Sequence, residues 1–155
     1  KISINTICFE NLDLIKEMSS KFGSQAIIAS IDIKKTIFGR KKIWNKSIKF
    51  IKEDKILDFI INLEKIGIGE LLLTSVDREG TWKGLDLDLI NYISSNIKIP
   101  LIAHGGIGNV EHIRQGLMTE ANAIGIGSYV VYQKKDMGVL VNFPDLSLFE
   151  DVIKL

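Results

Sequence analysis

Apolar residues in this 155-residue chain switch repeatedly between two periods. Runs of strand length give way to stretches in which apolar positions fall three or four apart, and then return. Residues 1–5 (KISIN) alternate and are rich in β-branched side chains, which predicts a strand ending at Asn5 and Thr6. Over 10–22, Leu12, Ile15 and Met18 keep helical spacing before a stop at Gly23. Residues 26–31 read as a continuous apolar strand ending in Asp32. The stretch 36–50 mixes aromatic with basic residues (Phe38, Arg40, Lys41, Lys42, Trp44) and is expected to form a short hairpin. A second helix is predicted over 54–66, stopping at Gly67, followed by a strand over 70–74 and a helix over 86–95. A strand over 99–103, with Pro100 at an edge position, leads to a helix over 109–118 that starts at an Asn109 cap. The last clear strand is 121–126. From residue 139 the rhythm breaks, and VLVNFPDLSLFEDVIKL predicts a terminal strand, then a short helix capped by Asp145 or Ser147.

Strand and helix thus alternate at least four times, the pattern of an α/β fold with a parallel sheet. In barrels built this way the chemistry sits in the loops that leave the carboxyl ends of the strands. There is no Pro/Gly linker and no charge block, so residues 1–155 read as one domain with a divergent tail over 138–155. The chain enters a strand-like run at Lys1 without a methionine, as expected of a fragment, a processed product or an incompletely ordered chain.

Composition narrows the field. Basic and acidic residues nearly cancel, 20 against 19, which leaves no footprint for nucleic acid or for a membrane surface. No apolar run approaches the roughly 18 residues that span a bilayer, and no signal peptide is visible, so the cytoplasm is expected. Two histidines and one cysteine argue against a disulfide framework or a Cys/His metal site. Cys8 is expected to be an inert thiol, His112 a surface residue, and Trp44, Trp82 and Tyr92 packing residues of the core or loops.

Candidate chemistry collects at the strand ends. Asp32 leaves an apolar strand and precedes Lys34 and Lys35; burial raises a carboxyl's pKa and ammonium neighbours lower it, a balance suited to acid–base work or to a turn-capping ion pair. Asp77, Arg78 and Glu79 place three charges on one loop beside Gly80, either a ligand loop or a solvated turn. His104, Gly105 and Gly106 open a glycine-rich link between a strand and a helix, and Gly125 to Ser128 repeats it one strand later. Two successive loops of this kind match the phosphate site formed after the last two strands of a (βα)8 barrel. His104 itself suits a base, a substrate contact or a packed, hydrogen-bonded histidine.

With KISINT, FGSQAIIASIDIKK, GIGELLLTSVDREGT and PLIAHGGIGNVEHI in this order, the chain resembles the HisF family, the cyclase subunit of imidazole glycerol phosphate synthase. The resemblance runs from Lys1 to about Val131. The related phosphoribosyl isomerase family shares the glycine-rich endings but not the serial combination. The resemblance implies a partial TIM barrel, about strands 4 to 8, with the earlier strands and the family's other catalytic aspartate outside these residues. It implies a lyase of histidine biosynthesis that needs no cofactor or metal and takes ammonia from a glutaminase partner. Asp32 then matches the second catalytic aspartate, a general acid. Glu79, Gly80, Gly106, Gly127 and Ser128 match one phosphate site of a phosphorylated small-molecule substrate, and Asn5 and Thr6 belong to the other. Thr74 and Asp77 match the lining of the active-site mouth, and His104 and Gly105 stand beside Gly106 on the next strand ending. Lys1 and Glu70 match an ammonia gate at the opposite end of the barrel.

Departures from the family are also implied. Ser is commoner where His104 stands, and Asp where Glu79 stands. The family's Gly-Lys-Lys-x-Thr-Gly loop is replaced by the 41–49 stretch, which has no glycine. The tail is similar to a divergent branch associated with surface-sugar amidination, which suggests an ammonia-conducting paralogue as the alternative function. A third alternative is a non-catalytic remnant: five strands cannot close a barrel, so the chain alone is expected to self-associate through its open edges.

Overall fold

The computed structural model describes residues 1–45, 55–132, 138–139 and 141–153. Six strands form one sheet: β1 (Ile2–Ile4), β2 (Ile27–Lys35), β3 (Lys41–Trp44), β4 (Glu70–Ser75), β5 (Leu101–His104) and β6 (Ala123–Gly125). Their order is β1-β2-β4-β5-β6, all parallel, with β3 antiparallel against β2. The helices α1 (Ile7–Glu10), α2 (Leu12–Phe22), α3 (Ile56–Ile66), α4 (Leu87–Ser94), α5 (Val110–Leu117) and α6 (Ser128–Val131) alternate with the strands. This is the parallel α/β arrangement of a TIM barrel, present here as an open arc.

Each helix begins and ends where local chemistry dictates. Asn11, Asp86 and Asn109 accept the backbone N–H groups of Leu14, Leu89 and His112, which caps α2, α4 and α5. Asn11 also corrects the expected 10–22 helix: its non-helical backbone interrupts the chain after α1, so α2 starts at Leu12. Gly67 closes α3 in the left-handed conformation and returns its N–H to Leu63 and Glu64. α3 buries Ile56, Ile60 and Leu63 at helical spacing, and Phe59 stacks on Phe9 of α1 at 5.0 Å between ring centres.

The sheet has two unlike faces. Ile27, Ala29, Ile31 and Ile33 of β2, Leu71 and Leu73 of β4, and Leu101 and Ala103 of β5 are buried in one cluster with Ile60, Leu63, Leu89, Ile93 and Ile113 from the helices. The alternate positions of β2, from Ile28 to Lys34, are half-buried on the other face, which corresponds to a barrel's interior. The register places Ile28 beside Glu70, Ser30 beside Leu72, Asp32 beside Thr74, Thr74 beside His104 and His104 beside Gly125.

Three further expectations change, and one is met as far as the described residues reach. β2 runs three residues beyond Asp32, because the hairpin with β3 continues its pairing to Lys35. The hairpin expected over 36–50 is present through Asn45, and the rest of that stretch lies outside the described residues. Pro100 precedes β5 and is not at a sheet edge: its carbonyl accepts the Leu71 N–H, and β5 lies between β4 and β6. The expected terminal strand is reduced, among the described residues, to a bridge between Tyr132 and Val139. The chain then closes with a 3-10 turn, Leu146–Phe149, capped by Asp145.

Candidate functional site

Because β1, β2, β4, β5 and β6 are parallel, their carboxyl ends lie on one rim. Asn5 follows β1 and donates from Nδ2 to Asp32 Oδ2 at 3.1 Å. Asn45, buried at 4% exposure where the hairpin returns from β3, donates to Asn5 Oδ1 at 3.0 Å. An amide relay therefore links the hairpin to the carboxylate. On β4, buried Thr74 meets His104 Nδ1 on β5 at 3.4 Å.

Asp32 titrates above the ordinary carboxylate range. Burial is the largest cause; the Asn5 hydrogen bond opposes it, the charge of Glu79 adds to it, and His104 opposes it. Glu79 and His104 thus act on Asp32 from two other strand endings. A carboxyl in this state retains its proton at higher pH than a free one, which suits a general acid.

Beside His104 lies a hollow of about 180 Å³ lined by Glu79, Gly80, Gly105, Gly106, Gly127 and Ser128. Glycine is required at its floor. Gly106 has φ +106, and a Cβ there would fall 2.2 Å from the Gly84 carbonyl. The backbone around the hollow therefore stays accessible to a ligand.

Other residues occupy different ground. Asp77 accepts the Lys35 N–H and lines a neighbouring hollow of about 200 Å³ with Lys35, Lys41, Ser75, Arg78 and Asp86. Thr6 is exposed at the start of the four-residue α1. Arg78 donates to the Gly84 carbonyl at 3.0 Å, behind Gly106. Lys1 and Glu70 form an ion pair at the amino ends of β1 and β4, on the sheet face that carries Asn5 and Asp32 at the other end.

Besides Asn45, three residues escaped the sequence reading. His112 is half-buried, not a surface residue: Nδ1 accepts the Gly108 N–H at 3.2 Å, and its ring lies where a Cβ on Gly84 would be crowded. It braces the glycine loop from below. Asp86 is buried at 6% exposure and holds Lys41 at 3.0 Å and Lys35 at 3.7 Å while capping α4. Trp82, expected only to pack, donates from Nε1 to Ser128 Oγ at 2.9 Å. Tyr92, also expected to pack, is exposed. Cys8 is buried, and its thiol is pushed up to about 12, chiefly by burial.

A half-buried acid at a strand end, a glycine-lined hollow one strand away and an ion pair at the opposite end define the carboxyl-end site of a TIM-barrel protein. The chain belongs to the histidine biosynthesis protein family, whose model matches residues 1–136. Its relatives identify the HisF branch. A Pseudomonas aeruginosa protein that carries the name imidazole glycerol phosphate synthase subunit hisF2 is 35% identical over 148 residues, 95% of this chain and 59% of its own length. The HisF subunit of Legionella pneumophila is 42% identical over 111 residues, covering 72% of this chain and 52% of that protein. That of Chlorobaculum tepidum is 40% identical over 116 residues, covering 75% and 46%. The chain spans about half the length of the curated relatives it matches. Among the described residues, no helix is long and apolar enough to cross a membrane.

Proposed function

We propose that these residues belong to a cyclase subunit of imidazole glycerol phosphate synthase. The substrate is a ribonucleotide with a phosphate at each end, and the ammonia comes from a glutaminase partner. The single observation that carries this reading is the placement of charge on one sheet face. The Lys1–Glu70 pair stands at the amino end, and the Asn5–Asp32 pair stands at the carboxyl end of the same strands. Ammonia entering beside the ion pair would travel along that face to reach the acid. There it attacks the ribulosyl carbonyl, whose oxygen leaves as water with a proton supplied by Asp32, while a base outside these residues takes a proton from the attacking nitrogen. Ring closure then releases imidazole glycerol phosphate and an aminoimidazole carboxamide ribotide.

The hollow at Gly80, Gly106, Gly127 and Ser128 takes one phosphate, and Asn5 with Thr6 contributes to the site for the other. These contacts orient the substrate and do no bond chemistry. The test is turnover by the full-length protein supplied with ammonia and the ribonucleotide. Asp32→Asn should lower it by about 10²–10⁴-fold, the usual share of a general acid. An Asp32→Asn enzyme of undiminished rate would remove the assignment.

A second reading rests on the departures of the sequence from the family. His104, Glu79 and the glycine-free 41–49 stretch suit a barrel that conducts ammonia to an amidotransferase of surface-sugar synthesis. Absence of turnover, with the glutaminase partner activated on complex formation, would select it.

A further inference from the structure

Trp82 has φ +62, the one non-glycine residue in the left-handed region among those described. For a bulky side chain this is an outlier that the surroundings must enforce, and such outliers gather at ligand clamps. The surroundings here are three separate strand endings. Trp82 lies on the loop after β4; the loop after β5 backs it so closely that a Cβ on Gly108 would fall 2.3 Å from its own Cβ. From the ending of β6, Ser128 accepts its indole N–H and Tyr129 meets its ring edge-on at 6.1 Å.

We propose that Trp82 is a positioning residue for the anion site, fixing the Ser128 hydroxyl as a donor aimed into the glycine-lined hollow. The inference rests on the phosphate reading of that hollow. A serine hydroxyl has one proton and two acceptor lone pairs, whereas an indole N–H only donates. Once Oγ has accepted from Trp82, its own proton must go elsewhere, and it donates to no protein acceptor among the described residues. Ser128 lines the hollow together with Gly106 and Gly127, so an oxyanion seated there receives that proton. Trp82 touches no ligand itself. It orients the hydroxyl before the ligand arrives and spares the cost of ordering it.

Inorganic phosphate is the probe, titrated into the full-length protein by calorimetry and by tryptophan fluorescence in a Trp44→Phe background in which any tryptophan outside these 155 residues is also changed to Phe. Trp82→Phe keeps the ring and removes the donor; it should weaken phosphate binding about tenfold, the worth of one well-made hydrogen bond. Ser128→Ala should weaken it at least as much, and the double variant no further. Should Trp82→Phe not fold, Ser128→Ala in the Trp44→Phe background must alter Trp82 emission without phosphate and remove its response to phosphate. Equal affinity in Trp82→Phe, a full extra loss in the double variant, or unaltered Trp82 emission in Ser128→Ala overturns the inference while leaving the phosphate site standing. Wild-type protein that takes up no phosphate overturns both.

Discussion

Asp32 illustrates how neighbours set the function of one side chain. Its carboxyl is raised by burial and by Glu79, and restrained by Asn5, whose amide is in turn held by Asn45. Removing either asparagine's amide should let Asp32 rise further, visible as an upward shift of the acid limb in a pH–rate profile or a carboxyl NMR titration. A downward shift in Asn45→Ala would contradict the relay. The stability consequence has a definite sign. A carboxyl whose folded pKa lies above its unfolded value opposes folding once the unfolded chain ionises, and contributes nothing well below that point. Asp32→Asn should therefore stabilise the fold at neutral pH, as substitutions at strained active sites often do, and the gain should vanish in acid below the carboxylate range. Denaturant midpoints at pH 7 and pH 3 measure it. Asp32 itself was legible in the sequence as the first charge to interrupt an apolar run. Asn45 was not, because its partner lies 40 positions away and nothing local marks it.

The β2–β3 hairpin is the element on which that relay depends, and Asp86 fastens it. Lys35 and Lys41, one from each side of the turn, converge on this one carboxylate at the start of α4. Burial pushes Asp86 up, but the Lys41 hydrogen bond and charge, the Leu89 N–H and Lys35 together outweigh it and hold it below the usual range. Asp86→Asn retains an oxygen to cap α4 and loses the ion pairs. Lys35 is exposed and Lys41 keeps partial access to water, so the cost should be that of a hydrogen bond to a charged group, about 1.5–3 kcal/mol, and not that of a stranded, fully buried charge. Because the folded pKa is depressed, this contribution is complete above the unfolded carboxylate value and fades as pH falls through the folded one. Variant and wild type should converge in strong acid, and a cost unchanged at pH 2 would show that the ion pairs contribute nothing. The alternation of Ile31 and Ile33 with Asp32 and Lys34 already carried the sign that β2 continues. Two consecutive lysines masked it, since they read as the end of an apolar run. Helix caps were easier: Asn109 acts through a neighbour three residues on, within the reach of any local reading.

At the scale of the molecule, the open arc exposes what a closed barrel would cover. β1 stands at one end of the strand order and β6 at the other, so among the described residues neither edge has a second parallel neighbour. Beside β1, Ile2 and Phe22 are 47% and 59% exposed and, with Met18, Ala26 and Ile27, surround an apolar hollow of about 250 Å³. A sheet edge and an apolar patch side by side bind another strand and its helix, either from the same polypeptide or from another copy. Residues 1–155 expressed alone should therefore form dimers or larger assemblies, measurable by size-exclusion chromatography with light scattering. Phe22→Glu places a charge in the patch without touching the buried cluster, so it should shift the population toward monomer while preserving the circular dichroism of the fold. A stable monomer of the unaltered chain would show that the edge is covered from within, and Phe22→Glu should then have no effect on mass. Strand alternation in the sequence indicated a barrel arc and its open edges. It did not reveal which edge is apolar, because Phe22 counted only as the last residue of a helix until α2 was placed against β1 and β2.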